Sequence, residues 1–297
     1  MVVALALVGG GGTYFLLRSE PAGTGTATPL ALAFDRGEET TYDIHITMDG
    51  SVNLGTLGEQ PLNVDMGESV GWKVLRISDG GVATIRVSVE KMWGTANGQP
   101  IPGTVGGQST MLRLTRDGQI LGAGGLSFGS TGGGGFGAFP GMDQVTPILP
   151  DHEVAPGDEW DKHFSQSFPF GDGKIEYTAH STFDRYETVN GVEAAVVTTT
   201  YTVPLDFSIN LADLAKAFGG SSSGQFPGYN GQNATIDYGG SGTFTQTSWL
   251  DLAAKQMVKT ESDGDFDMTM SFEGLQEQLG TDEFGMSATF SMEMTRE

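Results

Sequence analysis

Apolar residues in this chain recur at every second position, and that period limits what it can fold into. Tyr42, Ile44, Ile46 and Met48 alternate with polar neighbours, and side chains two apart share a face only in a β-strand. The stretch Val70–Glu90 reads as two such runs, VGWKVLRIS and VATIRVSVE, joined at Asp79-Gly80-Gly81, where glycine supplies the positive φ of a hairpin turn. A second hairpin pairs MLRLT with QIL around Arg116-Asp117-Gly118, and a longer third one runs from Ile175 to Val203 about Asn190-Gly191. A fourth pairs TFTQTSWLDL with QMVKTES around Ala253-Ala254. The runs Phe266–Phe272 and Phe284–Met294 bring the expected total to about eleven strands. Helical signal is confined to Leu211–Phe218, after an Asn210 cap, and Glu273–Leu279.

Turns this close in sequence give antiparallel pairing, hence a sandwich, a barrel or a curved sheet. A long hairpin followed by a shorter one occurs twice: VLRISDGGVATIRVSV then LRLTRDGQIL, and DRYETVNGVEAAVVTTTY then SWLDLAAKQMVKT. The expectation is a mainly β fold: a strongly curved antiparallel sheet, half-barrel or open barrel, with pseudo-duplicated hairpins and one or two short helices.

Charge narrows the partners. Of 297 residues, 37 are acidic and only 15 basic, a net charge of −22. Nucleic acid and anionic headgroups both need a basic footprint that this chain lacks. It has no Cys, which removes disulfides, thiolate metal sites, Cys nucleophiles and a lipidated Cys together. Its four His, at 45, 152, 163 and 180, never fall at an i, i+4 spacing.

The first residues carry an apolar run, Val2–Leu17, interrupted by four glycines and ended by Arg18. Sixteen residues fall slightly short of the roughly 20 that span a bilayer. Residues 1–18 are read as a membrane anchor or uncleaved signal, 19–33 as a Pro/Gly/Thr linker, and 34–297 as one exported β domain. The protein is thus expected outside the cytoplasm, tethered to the cell membrane, or secreted if the Ala31-Leu32-Ala33 stretch is cut.

Motifs for chemistry fail on context. Gly125–Gly129 and Gly220–Gly224 match G-x-S-x-G, but both sit in glycine-rich stretches without the strand and helix that a nucleophile elbow requires. The glycines at 132, 134 and 137 lack a βαβ unit around them. Glu261, Asp263, Asp265 and Asp267 alternate near an expected turn, yet a calcium loop would want Gly and Glu where Met268 and Gly274 stand. The segment Pro150–Trp160 holds His152 among carboxylates, but its Pro-Gly-Asp is turn chemistry and Trp160 reads as the anchor that returns the chain to the core.

The informative signal is apolar. Phe266, Met268, Met270 and Phe272 share one strand face; Phe284, Met286, Ala288, Phe290, Met292 and Met294 share the next, and Met48 is expected to extend this surface. Strand cores favour Val and Ile, whereas Met adapts to irregular apolar partners. An ordinary sheet core and a greasy ligand cavity both fit this pattern.

The opening F-x-x-G-E-x-x-x-Y (Phe34, Gly37, Glu38, Tyr42), the mid-chain P-G-D-E-W (Pro156–Trp160) and the paired hairpins resemble a group of bacterial exported proteins. More distantly, the chain resembles the LolA/LppX-like lipoprotein-carrier superfamily. That resemblance implies a curved half-barrel with helices along its concave side and the carriage of acyl chains. The functional expectation is a non-enzymatic protein that binds a lipid or another hydrophobic molecule in an apolar cavity. Its candidate ligand residues are Met268, Met270, Phe272, Met286, Phe290, Met292 and Met294. No cofactor, metal or nucleic acid is expected. The alternative is a cell-surface structural or protein-interaction module with no small-molecule ligand.

Overall fold

A computed structural model describes residues 27–55, 58–101, 109–121, 144–167, 174–210, 234–274 and 283–297. Fourteen strands occur among them: β1 Thr28–Pro29, β2 Glu39–Asn53, β3 Glu59–Ile77, β4 Ala83–Ala96, β5 Gln99–Pro100, β6 Ser109–Leu114 and β7 Glu153–Val154, then β8 Glu159–Ser167, β9 Lys174–Val189, β10 Val192–Pro204, β11 Phe207–Asn210, β12 Thr235–Asp251, β13 Gln256–Glu273 and β14 Glu283–Arg296. Twelve form one sheet in the order β5-β4-β3-β2-β14-β13-β12-β10-β9-β8, with β6 also on β4 and β11 also on β12. Every pairing is antiparallel, and β1 and β7 make a separate two-stranded sheet.

The mainly β, antiparallel expectation holds, with corrections. The ladder neither closes nor curls strongly: no bond joins β8 to the β4 edge. Curling a sheet takes bulges that turn its strands. The register shifts lie only in the flanks, at Ser69/Val70, Val74/Arg76, Val196/Val197 and Trp249/Leu250. The central pairings β13–β14, β14–β2 and β2–β3 run without a shift. Among the described residues there is no α-helix. Leu211–Phe218 lies outside them, and Glu273 is the last residue of β13, followed by a bend at Gly274.

Five strands, β1, β5, β7, β8 and β11, lie outside the expected set; all but the nine-residue β8 have two to four residues, too few to show a period, and the expected QIL arm is only an isolated bridge between Ile120 and Leu114. The expected turn at Asp263–Asp265 is instead the middle of one 18-residue strand, β13. Gly264 stands opposite Phe244, and a Cβ there would lie 2.3 Å from that ring. This glycine makes room for an aromatic side chain and does not turn the chain.

The stretch read as a linker is partly structural. Thr28 and Pro29 pair with Val154 and Glu153, and Leu30 and Leu32 are buried. The Leu32 N–H donates to the Arg116 carbonyl at 2.7 Å and the Ala33 N–H to that of Lys255 at 2.9 Å. Leu30 and Leu32, two apart, put the end of that stretch into the core.

The two short motifs turn out to be the same device. In the first, Glu38 N–H donates to Asp35 C=O at 3.0 Å while the Glu38 carboxylate accepts the Asp35 N–H at 3.0 Å. Gly37 has φ +89°, its N–H donates to Val74 C=O at 2.8 Å, and Val74 N–H donates to Glu38 C=O at 2.9 Å. In the second, Asp158 N–H donates to Ala155 C=O at 3.0 Å, and its carboxylate accepts the Ala155 N–H at 2.8 Å. Gly157 has φ +95°, its N–H donates to Phe183 C=O at 2.6 Å, and Phe183 N–H donates to Asp158 C=O at 2.9 Å. Each turn feeds the first strand of a three-strand run, β2-β3-β4 in one case and β8-β9-β10 in the other. After each long hairpin the next long strand pairs with its second arm, β6 on β4 and β12 on β10. Asp158→Ala is expected to cost about 1 kcal/mol, the usual worth of an exposed hydrogen bond, read as a lowered midpoint in urea unfolding.

Candidate hydrophobic ligand site

The ladder lines up inner-face side chains in rows across the strands. One row is Phe244, Gly264, Phe290, Met48 and Val64; the next toward the β12–β13 turn is Gln246, Ser262, Met292, Ile46 and Met66. A third is Ser248, Thr260, Met294, Ile44, Glu68 and Met92. On the other side of the Phe290 row, Met268 stands beside Met286, and Met270 beside Phe284. Phe244 and Phe290 meet edge to face at 6.4 Å across the gap left by Gly264.

The structure brings most of the expected ligand residues together. Met268, Met286, Phe290, Met292 and Met294 all belong to the main core, and Met294 is fully buried. Phe272 is set apart with Ala234 and Ile236 in a small cluster, where it meets Phe284 edge to face at 4.9 Å. Met270 is only partly buried and touches both groups. Period-2 spacing was enough to place these side chains on one face.

Of their partners on the neighbouring strands, the sequence pointed to Met48 alone. Met48, Met66, Met92 and Met257 join the same core, so nine of the chain's 12 methionines gather on it. The sequence reading also missed Glu68, which is 2% exposed. Leu62, Val64, Met66, Val70, Trp72 and Val74 occupy the inward phase of β3, and Glu68 falls in the same phase. The signal was available: a single carboxylate inside an otherwise apolar alternation. Burial alone pushes Glu68 up from 4.5 to about 7. Among the described residues it has no hydrogen-bond or ion-pair partner.

Asp251, the other buried carboxylate, shows the usual solution. It accepts the N–H groups of Ala253 and Ala254 at 2.9 Å each and faces Arg296 at 3.3 Å. Arg296 also donates to Gln256 at 2.8 Å, and Gln256 donates to Glu38. This network ties the opening turn to β13 and β14 at one end of the sheet. The same end carries a cavity of about 40 Å³ lined by Leu32, Phe34, Tyr42, Trp72 and Met257. That is space on the scale of one water molecule, and too little for an acyl chain. Burial there raises the Tyr42 hydroxyl above its ordinary value. Gln246 crosses the inner face to donate to the carbonyls of Gln144 and Thr146, at 3.2 and 3.3 Å, so residues 144–146 lie over β12.

The outer face is polar around the middle of β13, although Ala194, Val196, Trp249 and Val258 form a small apolar cluster elsewhere on it. Asp263, Asp265 and Asp267 are exposed there, and no cluster of three metal-binding side chains occurs among the described residues. A shallow depression of about 500 Å³ has Ser51, Asn53, Asp267, Thr269 and Ser287 on its floor. His152 is exposed and paired with Asp151 at 3.0 Å, while Trp160 is buried and donates to Ile148 C=O at 3.2 Å, an anchor as its sequence context implies. Of the glycine-rich stretches, 122–142 and 219–233 lie outside the described residues, and with them both G-x-S-x-G matches. Residues 1–26 lie outside as well, and no described helix is long and apolar enough to cross a membrane.

No protein-family model matches the sequence, and a search of curated proteins finds no match. Solved structures give remote likenesses. A domain with a proposed role in outer membrane lipoprotein sorting, from Vibrio parahaemolyticus, has 10% identity and a TM-score of 0.19, over 86% of this chain and 83% of that one. A LolA superfamily protein from Nitrosomonas europaea has 10% identity and a TM-score of 0.16, over 89% and 88%. DynF, from the dynemicin biosynthesis pathway of Micromonospora chersina, has 8% identity and a TM-score of 0.21, over 95% and 92%. Scores this low carry no ligand and no site residue across to this chain.

Proposed function

We propose that this protein is a non-enzymatic binding protein for a lipid or another hydrophobic molecule, working outside the cytoplasm and held near the membrane by its first 18 residues. The observation that carries the reading is the gathering of nine methionines with Phe244, Phe266 and Phe290 on one face of a single twelve-stranded sheet. A sheet buries its apolar face against something, and an unbranched, polarisable thioether surface re-packs around varied apolar partners at low cost. The stripe residues are buried, apart from the half-exposed Met270. A ligand therefore enters by displacing side chains, beginning at the Met270 end. Binding would draw on about 25 cal/mol per Å² of apolar ligand surface taken from water, before association costs. No residue on this face needs to perform chemistry.

One observation favours the second reading, a structural or protein-interaction module. The cavity at the covered end of the inner face holds about 40 Å³, and five of the seven stripe residues already pack in the main core. Native mass spectrometry of the exported protein, followed by solvent extraction, separates the two. The expected result is a defined lipid mass at near-stoichiometric occupancy. A clean apo mass, with no uptake of an added apolar dye, would give the function to the interaction module.

A further inference from the structure

The inner face holds one ionisable side chain that folding does not account for. Glu68 lies between Ile44 on β2 and Met92 on β4, with Met66 and Val70 before and after it on the same face. None of these four carries a charge or a side-chain hydrogen-bond donor. The neighbouring strand β4 has its register shift beside this position, where Ser69 faces Lys91 and Val70 faces Val89, so that Glu90 is the extra residue. That bulge turns Met92 inward next to Glu68, and bulges commonly re-aim side chains at binding sites. No Lys or Arg is buried among the described residues, so the core offers Glu68 no counter-charge.

We propose that Glu68 is the polar anchor of the apolar face and that the ligand it selects is a cationic amphiphile. A protonated amine would sit at the carboxylate, with its alkyl chain running over Met294 and Met292 toward Phe290. This rests on the apolar face being a ligand site. Glu68 and Val64 are four residues apart on β3, and Val64 shares the Phe290 row. At about 3.4 Å per residue along β3 and about 4.8 Å for each of the two strands crossed to β14, the straight path from anchor to aromatic ring is roughly 17 Å. An ammonium group supplies the charge that the core withholds, and a charge-assisted hydrogen bond is stronger than a neutral one. A fatty-acid anion would bring a second carboxylate against the first, in a protein that already carries −22. The chemistry selects amines over alcohols and alcohols over carboxylates.

The test is displacement of bound N-phenyl-1-naphthylamine from the full chain by dodecylamine, dodecanol and dodecanoate at neutral pH. Salt at about 0.5 M shortens the Debye length to a few Å, so the exposed acidic residues stop attracting amines while a buried group is screened much less. Dodecylamine is expected to displace the dye at about tenfold lower concentration than dodecanol, the scale of one charge-assisted hydrogen bond. In Glu68→Gln the two should become equal. Equal displacement in the wild type, or an amine preference that survives Glu68→Gln, overturns the anchor and leaves the apolar site standing. Failure of the dye to bind, or of all three amphiphiles to displace it, overturns the apolar site and the anchor with it. The wild-type comparison decides even if the variant does not fold.

Discussion

Phe244→Ala is expected to destabilise the protein by about 3–5 kcal/mol, the range for deleting a buried aromatic ring. For a chain of this length that lowers Tm by on the order of 10 °C. The ring is 2% exposed and stacks with Tyr201 at 5.4 Å on one side while meeting Phe290 edge to face on the other. It also covers two glycines. A Cβ on Gly264 would lie 2.3 Å from the ring, and one on Gly242 would lie 2.7 Å from it. Removing Phe244 thus empties more space than one side chain, because no neighbour on β13 can fill the gap.

The same geometry fixes a second variant. Gly264→Val in the wild type is expected to cost about 1–3 kcal/mol by overpacking. In the Phe244→Ala background it should become neutral or stabilising, since a β-branched residue suits a strand once the ring is gone. Urea unfolding of the four proteins gives the coupling between the two sites. Equal costs in both backgrounds would mean that the ring does not occupy the space over Gly264.

Gly264 also shows why part of the fold could not be read from the chain. Asp263-Gly264-Asp265 has turn chemistry by itself, and only the ring arriving from β12 makes it mid-strand. Asn190-Gly191 has similar chemistry and does turn, with both residues at positive φ. Local sequence does not separate the two cases; a partner on another strand does. Apart from β13, strands of thirteen or more residues were legible because their alternation outlasts any ambiguity. Two-residue bridges such as Thr28–Pro29 with Glu153–Val154 were not, because their pairing depends on segments more than a hundred residues apart.

The candidate site divides in the same way. The face shared by Met268, Met286, Phe290, Met292 and Met294 follows from period 2 along two strands. Their neighbours Met66 and Met92, beyond Met48, follow from the order in which strands pair, which places β14 between β13 and β2 and continues through β3 to β4. Nothing in the spacing of β14 and β2, at opposite ends of the chain, announces that adjacency. Glu68 was legible in principle, since its phase in β3 is set by Leu62, Val64, Met66, Val70 and Trp72. Its lack of a partner is a property of packing alone.

Replacing that carboxyl should strengthen the fold. Glu68 ionises near 7 when folded and near 4.5 otherwise, and burial is the cause. Between those values the folded chain holds a proton that the unfolded chain has released, so stability falls as pH rises from about 4.5 to about 7 and then levels off. A shift of that size corresponds to about 3 kcal/mol. Glu68→Leu removes the titrating group from both states. Its stability relative to the wild type should therefore grow by about 3 kcal/mol across that window and stay constant above it. Asp117, Asp151 and Glu39 run the other way. Burial raises Asp117, but hydrogen bonds from Lys162 and Thr115 outweigh it, and His152 and Lys73 lower Asp151 and Glu39 by hydrogen bonding. Those three lose stabilising interactions as pH falls, but they do so in wild type and variant alike and cancel in the difference. Urea unfolding of both proteins across the window measures it, and a difference independent of pH would show that the folded carboxyl is hydrated. A gain in stability together with a loss of amine preference would mean that Glu68 weakens the fold in order to hold a ligand, the stability–function trade-off expected of a binding residue.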